Sequence, residues 1–239
     1  MSSPSLELAT PWGENGRMRL ARFPTLIFLL SFLGVAISLW LSRHFDRVTD
    51  CRVFIDGCHS ISAGGREEPA VFVFRATIIP VGVLLMLTWW LSIQWLRKLG
   101  ATGAGTRLVL HLLGTASPVL LIAYIALIGS AGEIDHAIRQ VVISTYFPAT
   151  LVAKIILAGI LLRTRPAGLS TWLPWLMLGI AVIVLGLAVN SVIVSQLMSD
   201  PSVVHNLTQW HGTTAFAAWY LLLALAWRQT GFKLDPRLA

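Results

Sequence analysis

The sequence predicts an all-α polytopic membrane protein, a bundle of six transmembrane helices with both termini in the cytoplasm. Of its 239 residues, 56% are hydrophobic and only 12% are charged, and the mean hydropathy is +0.74. Soluble domains carry about 25% charged residues, so this chain has roughly half the usual share. Ten Trp and nineteen Gly are typical of the same class, because Trp collects at membrane interfaces and Gly allows close helix packing.

Six apolar segments are long enough to cross a membrane, which takes about 20 mostly apolar residues per helix. In chain order, the predicted spans are Phe23–Leu41, Val71–Leu96, Leu108–Gly129, Val141–Leu162, Leu173–Leu197 and Thr208–Trp227. They form one predicted domain, residues 23–228, between a disordered cytoplasmic tail at 1–22 and a short tail at 229–239.

The orientation of the bundle follows from its Lys and Arg residues. Eleven lie on the segments that include both termini, six lie on the opposite side, and Lys154 lies within a span. The positive-inside rule therefore places both termini in the cytoplasm. The loop 43–70 and the stretches Gly132–Gln140 and Met198–Leu207 are then expected to face outward. Because the basic residues flank apolar spans, the net charge of +7 does not indicate nucleic-acid binding.

Tryptophans lie near the predicted ends of several spans, where their amphipathic rings suit the interface between lipid and water. We expect an interfacial belt made of Trp40 and Trp210 on one side and of Trp95, Trp172, Trp175 and Trp227 on the other.

The longest polar interruption between apolar segments runs from Cys51 to Arg75 and holds both cysteines. Six residues separate Cys51 from Cys58, and outward-facing compartments allow disulfides to persist. A disulfide is the preferred interpretation, with two free thiols as the alternative. The spacing does not match that of zinc-binding cysteines, so no metal and no cofactor are predicted.

Histidines and acids gather on the predicted outer side. His59, His136, His205 and His211 lie there with acids such as Glu133. Histidine and carboxylate together can perform acid–base chemistry or bind a metal. The alternative is that these residues only solvate the loops, since the usual zinc spacings are absent.

Two polar side chains within the predicted spans are candidate site residues. Lys154 is the one charged residue well inside a span, and such residues usually face the bundle interior. The alternative is that its long stem carries the ammonium to the inner membrane face. Asn190 lies in the polar half of the fifth span, where such groups usually bond a neighbouring helix.

The polar loop also carries a family resemblance. It reads Cys-x6-Cys-His-Ser-Ile-Ser-Ala-Gly-Gly-x-x-x-Pro, followed by Phe-x-Phe-Arg at Arg75. This pattern, with six spans, resembles the Frag/DRAM/Sfk membrane family and is most similar to its branch that remodels the lipid of GPI anchors. Glu133 and His136 look like that family's acidic and His stretch. Gln209 stands where the family has an acid, which is a departure.

The resemblance implies a protein that handles or remodels a lipid or lipid anchor at the outer or lumenal leaflet. If it is an enzyme, the expected activity is lipid acyl transfer or lipid hydrolysis. The candidate catalytic residues are His136, His205, Ser60, Ser62 and Glu133. The candidate head-group ligands are Arg75, His59, Gln209 and His211, with Arg75 meeting a phosphate through its fork of donors.

Two other functions stay open at this point. The first is a non-enzymatic membrane regulator or scaffold, and the second is a transporter, which the lack of a visible repeat disfavours. Membrane lipids are the expected partners, nucleic acid is not, and other membrane proteins are compatible with a scaffold. The expected location is a bacterial plasma or inner membrane, or a Golgi or ER membrane in a eukaryote.

Overall fold

A computed structural model describes residues 20–130 and 132–233, and within them the chain is helical with no β-strand. The helices are α1 (Arg22–His44), α2 (Ala70–Lys98), α3 (Ala104–Leu110), α4 (Pro118–Leu127), α5 (Glu133–Thr164), α6 (Trp172–Leu197) and α7 (Ser202–Gln229). A π-helical turn, His111–Ala116, joins α3 to α4. The predicted tails lie largely outside the described residues.

Five of these helical segments are long and apolar enough to span a membrane, so the chain is an integral membrane protein. They are Arg22–His44, Ala70–Lys98, Ala104–Leu127, Glu133–Thr164 and Trp172–Leu197. Each contains one of the first five predicted spans, except that α4 ends at Leu127 rather than Gly129. The predicted sixth span lies in α7, which is 28 residues long but less apolar, since residues such as His211 lower its hydropathy.

The long helices form a closed ring. Each packs against the next in chain order, from α1 and α2 through α4, α5 and α6 to α7, and α7 returns to pack against α1. Aromatic side chains fill the centre of one half of this ring. The indole N–H of Trp89 on α2 donates a hydrogen bond to the hydroxyl of Tyr220 on α7 at 3.3 Å. The Trp89 indole also stacks on the indole of Trp219.

The tryptophan belt is only partly as predicted. Trp40 and Trp175 are 61% and 64% exposed, as lipid-facing rings should be, but Trp95 and Trp227 are each 1% exposed and pack edge to face. Trp210 is also buried. The belt interpretation was wrong for these three, because sequence position gives the depth of a ring along a helix but not the face on which it lies.

Two stretches that were predicted to be outward-facing loops are mostly helical. α5 begins at Glu133 and α7 at Ser202, so most of 132–140 and 198–207 is helical. Two acids, Glu133 and Asp135, occupy the first turn of α5, where the helix dipole favours negative charge.

The π-helical turn brings Gly114 against the ring of Trp89. A Cβ atom at Gly114 would lie 2.5 Å from that ring, closer than real side-chain contacts allow. A π turn holds one extra residue per turn and reshapes the helix locally. Glycine is therefore required here by the tight approach of the π turn to the buried Trp89.

We predict that Gly114→Ala destabilises the bundle by about 1–3 kcal/mol, because overpacking forces the Trp89 ring to move. The melting temperature of the purified protein in detergent should fall by several degrees. Gly105→Ala is the matched control, since nothing lies within 4 Å of a Cβ there. Equal melting temperatures for Gly114→Ala and wild type would contradict the packing described.

Candidate functional site

The segment between α1 and α2, residues 45–69, folds over one end of the ring, and we call it the cap. Cys51 and Cys58 form a disulfide within it, as predicted. The Nε2 atom of His59 lies 3.4 Å from the Cys51 sulfur and 3.5 Å from the Cys58 sulfur. These three residues have their potential ligand atoms within 4.8 Å of one another, but the disulfide leaves no thiolate for a metal.

Side chains of α7 hold the cap through its backbone carbonyls. The indole N–H of Trp210 donates to the carbonyl of His59 at 2.8 Å, and the amide of Asn206 donates to that of Gly57 at 2.8 Å. The His211 Nε2–H donates to the carbonyl of Phe54 at 2.9 Å. Since a buried carbonyl without a donor is costly, these three bonds fix the path of the cap over α7.

The same segment is fastened to α1 on its other side. The hydroxyl of Ser42 donates to the carbonyl of Gly64 at 2.9 Å, within a short 3-10 turn, Ala63–Gly65. A Cβ at Gly65 would lie 2.6 Å from the ring of Phe74, so a side chain there would push the cap away from α2.

Two exposed acids stabilise turns, one within the cap and one at the start of α7. The pKa of Asp56 is lowered, first because its carboxylate accepts the backbone N–H of Arg52 and then because it accepts that residue's guanidinium. Hydrogen bonds from the Ser202 side chain and backbone lower the pKa of Asp200 at the start of α7. Because both pKa values are depressed on folding, the stabilisation is complete at neutral pH and is lost as the pH falls through them, below 3.8.

Beneath the cap lies an apolar cavity of about 410 Å³. Its walls come from the cap and from α1, α2, α4, α5 and α7. On α7 it extends from Gln209 to Tyr220, which is about 16 Å at 1.5 Å per residue. Ser62 of the cap lines it as well, and most of the remaining lining is aliphatic or aromatic.

The ammonium of Lys154 lies deep in the bundle, next to residues that line the apolar cavity. It donates to the carbonyl of Phe216 at 2.6 Å and lies 3.1 Å from the centre of the Phe216 ring and 4.5 Å from that of Tyr220. At 1% exposure it does not reach the membrane surface, so the interior interpretation of Lys154 is confirmed and snorkelling is wrong. Asn190, in contrast, is exposed on α6, while its neighbour Ser191 bonds His205 of α7.

A second cavity, of about 350 Å³, is polar and lies where the cap meets the start of α2. Three arginines and two glutamates line it: Arg47, Arg66, Arg75, Glu67 and Glu68. The guanidinium of Arg75 donates to the carbonyl of Ile128, just after α4, at 2.5 Å. Gly129, with a φ of +87°, forms part of the rim.

The residues predicted to be catalytic lie on three elements. Ser60 and Ser62 are together in the cap, with their hydroxyl oxygens 3.0 Å apart. His205 is bonded to Ser191 at 2.5 Å. Glu133 and His136 are exposed in the first turns of α5, and no side-chain hydrogen bond joins either of them to another described residue.

The residues predicted to bind a head group also divide among different surroundings. Arg75 lines the polar cavity and Gln209 lines the apolar one. His59 is buried beside the disulfide, and His211 holds the cap. Of the four, only Arg75 and Gln209 therefore line a cavity.

Sequence reasoning missed several residues that line the cavities. The sequence pattern marks Arg47 and Arg66 only as charges that set orientation, and it does not single out Tyr220. The sequence gives little indication that these residues belong to one site, because Arg47 and Arg75 are 28 positions apart and come together only through the fold of the cap. The glycines that let the cap approach α1 and α2 were visible in the sequence.

No protein-family model matches the chain, and no match was found among curated proteins or among solved structures. The resemblance of the 51–75 segment to the Frag/DRAM/Sfk family therefore stays a prediction.

We predict that Trp210→Phe loosens the cap, because it keeps an aromatic side chain but removes the indole N–H that satisfies the buried carbonyl of His59. A loss of about 1 kcal/mol would raise the open population of the cap about fivefold. Trypsin cleavage after the exposed Arg52 and Arg66 should accelerate by that factor. Trp40→Phe is the control, since Trp40 is exposed on α1. If Trp210→Phe is cleaved at the same rate as the wild type, Trp210 does not hold the cap.

Proposed function

We propose that this protein binds a membrane lipid in the leaflet next to the cap, with an acyl chain in the apolar cavity. The observation that carries the proposal is the cavity itself, about 410 Å³ of mostly apolar space beneath a fastened cap. Sites for small ligands have volumes of about 300–1,000 Å³ and are lined mainly by hydrophobic residues with a few polar groups. A length of about 16 Å along α7 suits an extended chain better than a compact solute.

The placement of polar groups supports the same ligand. Ser62 and Gln209 line the cavity near the cap, and Phe216 and Tyr220 line it about two and three turns deeper along α7. A lipid has the same order of properties, with polar groups at the membrane surface and hydrocarbon below. Because bilayer hydrocarbon is as apolar as the cavity wall, a chain in this cavity would be held by van der Waals packing rather than by a hydrophobic driving force.

The arrangement favours lipid binding over acyl transfer. A serine nucleophile needs a base within hydrogen-bond reach. In the described part of the chain, the hydroxyl of Ser60 is bonded to Ser62 and to the backbone N–H of Ala63. The nearest histidine in sequence, His59, has its Nε2 atom against the disulfide sulfurs. The proposed activity is therefore the holding or presentation of a lipid, as in the lipid-handling function that the family resemblance implies.

The proposed topology has six spans, with both termini in the cytoplasm and the cap outside or in a lumen. The position of α7 supports a sixth span, because α7 packs between α6 and α1 and closes the ring. The disulfide supports an outward or lumenal cap, since such compartments are oxidising. The corresponding location is the inner membrane of a bacterium or the Golgi or ER membrane of a eukaryote.

This topology predicts opposite labelling of two single-cysteine variants. Asp200→Cys lies in the turn before α7 and Ala167→Cys in the turn between α5 and α6, and both positions are exposed. In intact cells, or in vesicles that keep the native orientation, a membrane-impermeant maleimide should label only Asp200→Cys. After permeabilisation, the maleimide should label Ala167→Cys as well. The paired native cysteines keep the background low. Labelling of both variants from one side would rule out α6 as a single crossing.

The lipid proposal predicts that filling the apolar cavity weakens binding of a chain. We expect a phospholipid with a diazirine in its acyl chain to crosslink to the wild type at residues that line the cavity. Ala217→Phe should fill part of the space that the chain would occupy and lower the crosslinking yield several-fold, because the chain then loses its van der Waals contacts with the cavity wall. Ala218→Phe is the control, because it lies on α7 but does not line the cavity. Equal yields from both variants with normal melting would contradict the proposal.

A further inference from the structure

We propose that the polar cavity recognises a lipid head group that carries both a phosphate and a primary ammonium, as in phosphoethanolamine. This inference rests on the proposed function, namely that a lipid chain occupies the apolar cavity. It adds the chemical class of the head group and assigns the residues that read it: Arg47, Arg66 and Arg75 for the phosphate, Glu67 and Glu68 for the ammonium.

The main observation is that opposite charges line this cavity without pairing. Three guanidinium groups and two carboxylates surround about 350 Å³. Among the described residues, however, no ion pair within 4.0 Å joins any of these arginines to either glutamate. Ion pairs do form elsewhere in the cap, between Arg52 and Asp56 at 3.3 Å. The charges around the cavity are therefore held apart, and a ligand with both signs of charge would complete them.

Arg75 is the best-positioned group for the phosphate. It lies in the second turn of α2, half-buried, and the carbonyl of Ile128 fixes the end of its guanidinium. Its Nε–H is buried and has no hydrogen-bond partner among the described residues. A buried donor without a partner costs free energy, and phosphate oxygens are strong acceptors for a planar guanidinium. Arg66 and Arg47 add positive charge around the same space.

The two glutamates explain why the expected ligand is not simply an anion. Glu67 and Glu68 precede α2 and are exposed, so both carboxylates are free to accept hydrogen bonds. A primary ammonium offers three donors to such acceptors. A quaternary ammonium, as in choline, has no N–H to donate, and a glycerol head group has no positive charge. The cavity should therefore prefer ethanolamine over choline and over glycerol head groups.

The two cavities are lined by neighbouring residues of the same segments, which would link the head group to the chain. On α2, Phe74 lines the apolar cavity and the next residue, Arg75, lines the polar one. Ile125 of α4 lines the apolar cavity, and Gly129, four residues later, lines the polar one. One lipid with its phosphate at Arg75 would have its chains at the level where the apolar cavity lies along α2.

The experiment uses the full chain in nanodiscs. The lipids compared have identical acyl chains and ethanolamine, choline or glycerol head groups, and the readout is competition with the diazirine phospholipid. We expect ethanolamine lipid to compete about threefold to tenfold better than choline lipid, a range suited to exposed charge pairs. The double variant Glu67→Gln/Glu68→Gln should lose this preference, and Arg75→Gln should weaken competition by every phospholipid. Arg52→Gln and Asp50→Asn are matched controls on the cap, away from the cavity.

Three results would overturn the inference. The first is that, in the wild type, the glycerol lipid competes with the diazirine phospholipid as well as or better than the ethanolamine lipid does. The second is that the double glutamate variant still prefers the ethanolamine lipid. The third is soluble phosphoethanolamine that competes as well as the lipid, which would make the ligand a free metabolite. Loss of crosslinking in Ala217→Phe reports on the apolar cavity alone. The proposed function and this inference can therefore fail separately.

Discussion

The arrangement of the cap over the apolar cavity depends on hydrogen bonds from α7 to the cap backbone, and the one that is fully buried runs from the Trp210 indole to the carbonyl of His59. It anchors the cap to α7, and the Asn206 and His211 bonds extend the same contact along that helix. Without this anchoring the cap would not cover the apolar cavity, and the arginines and glutamates beside it would not surround one space. This bonding suits a membrane protein, because the backbone groups of non-helical segments near the hydrocarbon must find their hydrogen-bond partners within the protein.

The ring arrangement of the helices explains why the bundle can hold an apolar cavity at its centre. Neighbouring helices contact each other around the ring, so the centre must be filled by long side chains or remain open. In one part of the ring the centre is filled by Trp89 and Trp219, whose side chains stack on each other. Beneath the cap the centre stays open as the apolar cavity, which Phe216 and Tyr220, next to Lys154, help to line. The open part of the centre is the space that the proposed acyl chain would occupy.

The five apolar spans, the disulfide and the unusual character of Lys154 could be predicted from the sequence. The reason is that hydropathy, cysteine spacing and intramembrane charge are local signals. The burial of Trp95 and Trp227 could not, because an interfacial tryptophan and a core tryptophan occupy the same positions along a helix. The polar cavity was also out of reach, since Arg47, Arg66 and Arg75 meet only through the path of the cap. Of the site residues expected from the sequence, Arg75, Ser62 and Gln209 line cavities, while His59 lies within the cap beside the disulfide and His211 bonds the cap backbone.

The contact of Lys154 with the carbonyl of Phe216 has a consequence for how the chain is made. The two residues are 62 positions apart, so α5 leaves the ribosome before the helix that satisfies its ammonium exists. A lysine at the centre of a lone inserting helix costs about 2.5–3.5 kcal/mol, which the apolar residues of α5 must offset until then. Insertion of α5 is therefore provisional until α7 arrives. The last helix to be synthesised is the one that completes the interior, and the order of synthesis is part of the folding problem of this protein.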